Sequence, residues 1–213
     1  MRNLLYLGFL VFCVSIFASC GGNSNDVLIE TSQGDIVIRL FDETPKHRDN
    51  FKKLVAEGYY DGTLFHRVIP TFMIQGGDPQ SIGATPDQPL GGGGPGYMID
   101  QEIGSPHLRG AVAAARTQNP EKASSGSQFY IVTGQPQSAA SIDQIQTMKS
   151  IQYSPEQRAA YEKDGGRPDL DMDYTVFGEV VSGMDVVDKI SALATGRQNR
   201  PTEDVVMETV IMK

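Results

Sequence analysis

Short runs in which apolar and polar residues alternate dominate the chain after residue 26. The run 35–40 is typical, because Ile36 and Ile38 fall on one face of an extended strand and Arg39 falls on the other. Glycine-containing turns separate many of these runs, which favours a β-rich fold. The pattern predicts strands over residues 27–31, 35–40, 111–115, 129–133, 175–180 and 205–212.

Two further strands are predicted within the dense apolar run 65–78, joined at residues 70–71. Alternation puts Arg67 on one face with Phe65, and Gln75 on one face with Met73. If the two faces coincide, a guanidinium and an amide lie over an apolar floor. Such a site suits an uncharged, mostly apolar group that is contacted by a few directed donors. No general base or nucleophile is evident in the run, so it indicates binding and torsion rather than bond cleavage.

Two helices are predicted beside the strands. Thr44 is expected to cap the first helix with its hydroxyl, Pro45 to occupy the first helical position and Gly58 to end the helix. A second helix is predicted over residues 184–193, where apolar residues recur at helical spacing. A mostly antiparallel barrel with two helices accommodates all of these elements.

The composition is that of one soluble globular domain. The chain has 213 residues and a mass of 23.1 kDa, with 39% hydrophobic and 21% charged residues. Its formal net charge is −8, which becomes −9 if a leader carrying Arg2 is removed. A general nucleic-acid-binding protein would show a basic surface instead, so we expect no nucleic-acid partner.

The N-terminal segment is a separate unit. Arg2 supplies a positive start, and residues 4–18 form an uncharged apolar run that is too short for a typical membrane span, as in a secretory leader. The sequence FASCGG at residues 17–22 resembles a bacterial lipoprotein signal, which implies that residues 1–19 are removed and that Cys20 is acylated. Residues 20–26 would then be a polar tether. An uncleaved anchor or plain secretion remains the alternative.

Three segments, in the same order along the chain, resemble the motifs of one family. They are FHRVIPTFMIQGGD at residues 65–78, GSQFYIV at 126–132 and LDMDYTVFGEV at 170–180. The family is that of the cyclophilin-type peptidyl-prolyl cis-trans isomerases, and the likeness spans most of the chain after residue 26. It implies a mainly β domain over residues 27–213, a closed antiparallel β-barrel with two flanking helices, and no cofactor.

The resemblance also implies which residues form the active site. Arg67 is expected to be catalytic, as a fixed donor to the nitrogen of the twisted X-Pro bond, and Gln75 to orient Arg67 or the substrate. The residues expected to bind substrate are Phe72, Met73, Arg116, Phe129, Tyr130, Leu170 and Tyr174. Phe129 is nevertheless expected to point inward, because Tyr130 is its neighbour on one strand. On residue type alone, the apolar members would more often be ordinary core residues.

Several positions depart from the family pattern. Tyr130 stands where phenylalanine is common, and it brings a hydroxyl that needs a partner. Arg116, Asp169 and Tyr174 stand where members of the family have asparagine, tryptophan and histidine. The residue preference around proline and the sensitivity to cyclosporin therefore stay open.

No metal site is predicted. His47, His66 and His107 are the only histidines, and they lack metal-ligand spacing. His66 is expected to be buried and hydrogen-bonded. The glycine-rich segment 91–96 is expected to be a loop without a phosphate-binding role, because the lysine and hydroxyl residue of a P-loop do not follow it.

An insertion interrupts the likeness at about residues 134–168. Ser154 and Gln157 form a capping box with Pro155 at the first helical position, which predicts a helix there, and residues 142–151 suit another. The insertion either shapes access to the pocket beside it or is a surface excursion that the fold tolerates. The sequence does not decide between these two interpretations of the insertion.

The chain as a whole is predicted to be a monomeric, lipid-anchored isomerase of X-Pro bonds. It is expected in the cell envelope of a bacterium, facing the periplasm or the exterior, where it would assist the folding of exported proteins. Its expected partners are unfolded or flexible polypeptides that contain proline. Two alternatives stay open: a module that holds proline-containing segments with little turnover, and a structural subunit of an envelope complex that uses the insertion as its contact surface.

Overall fold

An eight-stranded antiparallel sheet is the frame of the protein in the computed structural model, which describes residues 25–213. The strands in chain order are β1 (Asp26–Thr31), β2 (Gly34–Leu40), β3 (Arg67–Ile69), β4 (Met73–Gly76), β5 (Met98–Ile99), β6 (Ala111–Ala114), β7 (Ser124–Ser125), β8 (Phe129–Val132), β9 (Val176–Ser182) and β10 (Met207–Met212). The sheet has the order β10-β1-β2-β9-β6-β8-β4-β3, and β5 pairs separately with β7. The predicted leader and its Cys20 lie outside the described residues.

The predicted strands are confirmed, with ends that differ by one or two residues. Arg67 of β3 pairs with Gln75 of β4, so the two faces coincide as expected. Phe65 does not share that face, because β3 begins only at Arg67 and the Phe65 ring is fully buried in the core. The short strands β5 and β7 were not predicted, since two residues are too few for alternation to be recognised.

The sheet curls without closing. Its edge strands, β10 and β3, do not pair with each other. Only the segments around their starts meet, where the Phe65 N–H donates to Val205 O at 2.9 Å and the Met207 N–H donates to Thr63 O at 2.8 Å. The predicted closed barrel is therefore wrong, and the sheet is a curled half-barrel. Alternation assigns the faces of a strand, whereas edge pairing depends on segments far apart in the sequence.

Four α-helices occur in residues 25–213: α1 (Pro45–Ala56), α2 (Ala139–Lys149), α3 (Pro155–Lys163) and α4 (Met184–Ser191). α1 and α4 are the two predicted flanking helices, and α2 and α3 make the insertion partly helical, as predicted. α1 packs Phe51 and Leu54 into the core, and α4 packs Val187 and Ile190 into it. In this part of the chain, no helix is long and apolar enough to cross a membrane.

An aromatic cluster holds α1 against the strand that carries part of the candidate site. The ring of Phe51 in α1 stacks on Tyr60 with centroids 4.8 Å apart, and it meets Phe129 of β8 edge-on at 5.4 Å. Phe65 meets the same Phe129 ring at 6.2 Å. Because successive residues of a strand point to opposite faces, this packing directs Tyr130 away from the cluster.

The start of α1 is not capped as predicted. Thr44 makes no capping hydrogen bond, and its Oγ1 is buried without a partner in the described residues. The Glu102 carboxylate instead accepts hydrogen bonds from the backbone N–H groups of Lys46 and His47, both at 3.0 Å. The negative charge of the Glu102 carboxylate also interacts favourably with the positive N-terminal end of the helix dipole. The predicted cap is wrong because a residue far along the chain provides the acceptor.

Replacing Glu102 by alanine should therefore lower the free energy of unfolding by about 1–2 kcal/mol, since two N-terminal N–H groups of α1 and the ring Nδ1 of His47 lose their partner. Thr44→Val replaces a hydroxyl that has no partner, so it should leave that free energy within about 0.5 kcal/mol or raise it. Urea unfolding of both variants beside the wild type measures the difference. Equal losses in the two variants would contradict the Glu102 cap.

The insertion is a packed part of the fold. At its neck, Gly134 and Gly166 pack backbone to backbone, and a Cβ on either residue would overlap neighbouring backbone atoms. Gly166 also has a φ of 147°, which residues with a side chain rarely adopt. α3 begins with the predicted capping box of Ser154 and Gln157. Tyr161 of α3 is fully buried, so α3 packs against the rest of the fold.

Candidate active site

A chain of side-chain amides holds Arg67 in place. Its Nη1 donates to Oε1 of Gln75 at 3.1 Å, and Nε2 of Gln75 donates to Oε1 of Gln128 at 3.1 Å. Nε2 of Gln128 donates to the carbonyl oxygens of Gly91 at 3.0 Å and Gly93 at 2.7 Å. The Arg67 side chain makes no other hydrogen bond within residues 25–213, so its remaining guanidinium N–H groups can meet a ligand. Gln128 was not singled out from the sequence, although it lies within the segment 126–132.

A pocket of about 150 Å³ opens beside Arg67. Its lining residues are Arg67, Phe72, Met73, Gln75, Ala115, Arg116, Tyr130, Leu170 and Tyr174. Met73 and Tyr130, which lie on the paired strands β4 and β8, are almost completely buried and form its floor. The fold thus brings eight of the nine residues expected at the site around one pocket and adds Ala115.

Phe129 is the one expected residue that does not reach this pocket. Its side chain is 1% exposed and packs in the aromatic cluster on the other face of β8. The assignment of Phe129 to substrate binding is therefore wrong, and the inward direction expected from alternation with Tyr130 is confirmed.

Arg116 and Tyr174 form one wall of the pocket as a contacting pair. The Arg116 guanidinium lies 4.8 Å from the centre of the Tyr174 ring, and its Nε donates to the carbonyl oxygen of Asp173 at 2.8 Å. Tyr174 meets the Tyr130 ring edge-on at 5.9 Å. A guanidinium that stacks on a ring and bonds a backbone oxygen is well fixed. Two departures from the family pattern therefore occur together and support each other.

A third arginine, which the sequence analysis missed, contacts another wall residue. Arg167, at the end of the insertion, lies with its guanidinium 4.0 Å from the centre of the Phe72 ring, whereas Arg67 lies 5.9 Å from it. Asp169 holds Arg167, because its carboxylate accepts hydrogen bonds from Nε at 2.8 Å and from Nη2 at 2.6 Å. No motif or periodicity reveals this contact, because it joins residues far apart in the sequence.

The Tyr130 hydroxyl bonds inside the protein. It lies 3.0 Å from Nε2 of His107, a residue with no solvent exposure. Burial raises the pKa of the Tyr130 hydroxyl well above its usual value, so the hydroxyl stays protonated. The partner that this hydroxyl was expected to need is a buried histidine.

Two larger open pockets, each of about 390 Å³, adjoin the small one. One shares Arg67 and Gln75 with it and extends to Arg197. The other shares Gln75 and Arg116 with it and is bordered by glycines of the segment 91–96. The three together form an open groove, which suits an extended polypeptide better than a compact small molecule.

The remaining histidines have structural surroundings. His47 lies 2.7 Å from the Glu102 carboxylate through Nδ1 and 3.0 Å from Ser124 Oγ through Nε2, and burial lowers its pKa. His66 is buried as predicted, and burial lowers its pKa as well. The predicted hydrogen bond of His66 is not well formed, because neither ring nitrogen has a partner with full hydrogen-bond geometry in the described chain and the interaction of the ring with the Leu64 backbone falls short of it. Between residues 25 and 213, no group of three or more His, Cys, Asp or Glu side chains could hold a metal ion.

Sequence comparisons match the chain to one family over nearly its whole length. The model of the family described as cyclophilin type peptidyl-prolyl cis-trans isomerase/CLD matches residues 26–212. A putative bifunctional phosphatase/peptidyl-prolyl cis-trans isomerase of Streptococcus pyogenes is 39% identical over 189 residues, which cover 86% of this chain but only 38% of that protein. A putative peptidyl-prolyl cis-trans isomerase of Staphylococcus haemolyticus is 35% identical over 190 residues, which cover 88% of this chain and 91% of that one.

Solved structures share the fold. A crystal structure of a cyclophilin type peptidyl-prolyl cis-trans isomerase of Cryptosporidium parvum, in the presence of the dipeptide Ala-Pro, matches with a TM-score of 0.65 and 26% identity. The match covers 88% of this chain and 98% of that one. Another crystal structure of the same protein matches with a TM-score of 0.66 and 25% identity, over 89% of this chain and 97% of that one.

Proposed function

Because this chain belongs to the family of cyclophilin-type peptidyl-prolyl cis-trans isomerases, we propose that it isomerises X-Pro bonds of exported proteins while a lipid on Cys20 holds it at a membrane. The protein is a peptidyl-prolyl cis-trans isomerase. The proposal concerns its active-site residues, its clients and its location. The assignment of the active site rests on one observation: the Arg67 guanidinium is fixed at the edge of a small pocket with an apolar floor.

The reaction is rotation about an X-Pro bond, which has a barrier of roughly 18–20 kcal/mol and takes tens to hundreds of seconds without a catalyst. When the bond twists, the C–N bond loses resonance and the nitrogen gains a lone pair that accepts a hydrogen bond. A donor that meets this nitrogen only in the twisted state lowers the barrier, because it stabilises the transition state more than the planar states. We assign this role to Arg67.

The pocket would hold the proline ring while the rest of the chain turns. Phe72, Met73 and Leu170 present apolar surface to it, and the Tyr130 ring completes the floor. A ring held in a fixed place beside a directed donor makes the twist productive. The Cryptosporidium protein gave a crystal structure in the presence of Ala-Pro, which supports a proline residue as the occupant of this pocket.

Exported, flexible polypeptides are the proposed clients. The leader pattern and the position of Cys20 before a polar segment support an extracytoplasmic protein that is held by lipid. The groove is open on both sides of the small pocket, which suits an X-Pro bond within a longer chain. We propose that the enzyme acts as a monomer on such chains in the cell envelope.

The native mature protein should begin at a lipid-modified Cys20 and sediment with membranes. Mass spectrometry of the N-terminal peptide measures both the cleavage site and the acyl mass. Cys20→Ser should lose the lipid and the processing, whereas Cys13→Ser, a matched change within the leader, should be processed normally. A mature chain that begins elsewhere, or a Cys20→Ser variant that is still processed and membrane-bound, would rule out the lipid anchor.

A further inference from the structure

A buried chain of hydrogen bonds joins the insertion to the floor of the pocket. Tyr153 and Tyr161 of the insertion donate to Oδ2 of Asp171 at 2.6 and 2.7 Å. Oδ1 of Asp171 lies 2.7 Å from Nδ1 of His107, whose Nε2 lies 3.0 Å from the Tyr130 hydroxyl. All of these residues except Tyr153 are at most 5% exposed. The chain therefore runs through the interior from the insertion to the pocket.

Asp171 is the acceptor on which the chain converges. The hydroxyls of Tyr153 and Tyr161 bond one carboxylate oxygen, and the backbone N–H and ring Nδ1 of His107 bond the other. Burial, together with the nearby Asp171, raises the pKa of both tyrosine hydroxyls, so both keep their protons. A carboxylate offers only acceptor sites, and Nδ1 of His107 therefore carries a proton.

This arrangement determines the direction of the Tyr130 hydroxyl. The Tyr130 hydroxyl keeps its proton and has no other hydrogen-bond partner in the described residues, so it donates to Nε2 of His107, whose proton lies on Nδ1. The hydroxyl is thus drawn into the protein, and the ring face lines the pocket. Without this bond the hydroxyl would lack a partner, because a proline ring offers it none.

We propose that the insertion positions the floor of the proline pocket through this chain. His107 and Asp171 are positioning residues, which line no part of the pocket but hold the Tyr130 ring in place. Tyr153 and Tyr161 keep the buried carboxylate of Asp171 directed at His107, because coupled hydrogen bonds strengthen one another. The inference rests on the proposed assignment of this pocket to proline.

The insertion also contacts the pocket through Arg167, whose guanidinium stacks on Phe72. This contact does not involve Tyr130 or Asp171. Removal of the tyrosine hydroxyls of the insertion changes only the hydrogen-bonded chain and leaves the stacked arginine in place. The two routes can therefore be separated by substitution.

The test is the double variant Tyr153→Phe/Tyr161→Phe in the full-length protein, which removes two hydroxyls and keeps both rings. KM for an X-Pro tetrapeptide should rise roughly 3- to 30-fold with little change in kcat, because a misplaced floor weakens the binding of ground state and transition state alike. In a Tyr130→Phe background, the same double change should have no further effect, because the chain then ends at His107.

The matched control is Tyr60→Phe, which removes another fully buried tyrosine hydroxyl, bonded to the Ser127 carbonyl at 3.2 Å. It should leave KM and kcat unchanged. Nitrogen NMR of His107 supplies a readout that does not depend on turnover. The wild type should show a proton on Nδ1 and an acceptor at Nε2, and both nitrogen signals should shift in the double variant, because the Asp171 carboxylate loses the two hydroxyls that direct it.

An unchanged KM and His107 spectrum in the double variant would overturn the proposal. An equal rise in KM with and without the Tyr130 hydroxyl would also overturn it, because the effect would then reach the pocket by another route. Failure of the pocket assignment itself would look different: a folded Arg67→Ala variant would keep normal turnover, whatever the state of His107.

Discussion

Replacing Arg67 by alanine should lower kcat/KM for a proline-containing tetrapeptide by about 10²–10³-fold, or roughly 3–4 kcal/mol of transition-state stabilisation. In the described chain the Arg67 guanidinium donates a hydrogen bond only to Gln75 and keeps further N–H groups for the twisted X-Pro nitrogen. Arg116 lines the same pocket but is tied to the Asp173 carbonyl and stacked on Tyr174, so it is poorly placed to replace the lost donor.

Two variants separate the fixed donor from a general effect of positive charge. Arg67→Lys keeps the charge but loses the rigid fork, and it should still lose at least about tenfold in kcat/KM. Arg116→Ala removes a guanidinium from the same pocket and should lose less than about tenfold. Circular dichroism and urea unfolding establish that each variant is folded. Wild-type kcat/KM in a folded Arg67→Ala variant would remove Arg67 from the mechanism.

The pairing of Arg67 with Gln75 was predictable because both residues lie in one short run. Alternation assigns their faces, and the tight connection at residues 70–71 brings the two strands together. The same rule separated Phe129 from Tyr130. The catalytic role given to Arg67 has a different origin, because residue type and alternation alone would allow a surface ion pair. That role came from the resemblance to the family motifs.

Contacts between distant segments account for what the sequence did not predict. Threonine is a residue type that often caps helices, which is why Thr44 was predicted as the cap of α1. The first N–H groups of α1 instead donate to Glu102, which lies far along the chain. His66 was expected to be hydrogen-bonded, and its ring nitrogens lack a partner with full hydrogen-bond geometry in the described residues. Local sequence patterns carry no information about neighbours that are distant in the sequence. The open edge of the sheet has the same cause, because the register of one short run does not determine whether distant edges meet.

In the insertion, local sequence patterns predicted the start of a helix but not its contacts with the rest of the fold. The capping box of Ser154 and Gln157 could be predicted from the sequence, because its two partners are three residues apart. The bonds from Tyr153 and Tyr161 to Asp171 could not be predicted, because Asp171 lies outside the insertion and no local pattern links it to these tyrosines. A buried carboxylate with four donors is expensive to disturb, which leads to a second strong expectation.

Replacing Asp171 by alanine should lower the free energy of unfolding by about 3–5 kcal/mol. Its carboxylate is almost fully buried and is the common acceptor of Tyr153, Tyr161 and two groups of His107. The substitution leaves these donors buried without an acceptor, and each unsatisfied group costs roughly 1–3 kcal/mol before the structure relaxes. The loss is a large fraction of the stability of an ordinary domain, which is about 5–15 kcal/mol.

Urea unfolding compares Asp171→Ala with a matched change two residues away. Asp169 is half-exposed and pairs with Arg167 near the surface, so Asp169→Ala should cost at most about 1 kcal/mol. Asp171→Asn keeps the shape and one acceptor oxygen, and it should fall between the two, which preserves the comparison if the alanine variant does not fold. If Asp171→Ala unfolds within about 1 kcal/mol of the wild type, the four hydrogen bonds are not a stabilising centre of the fold.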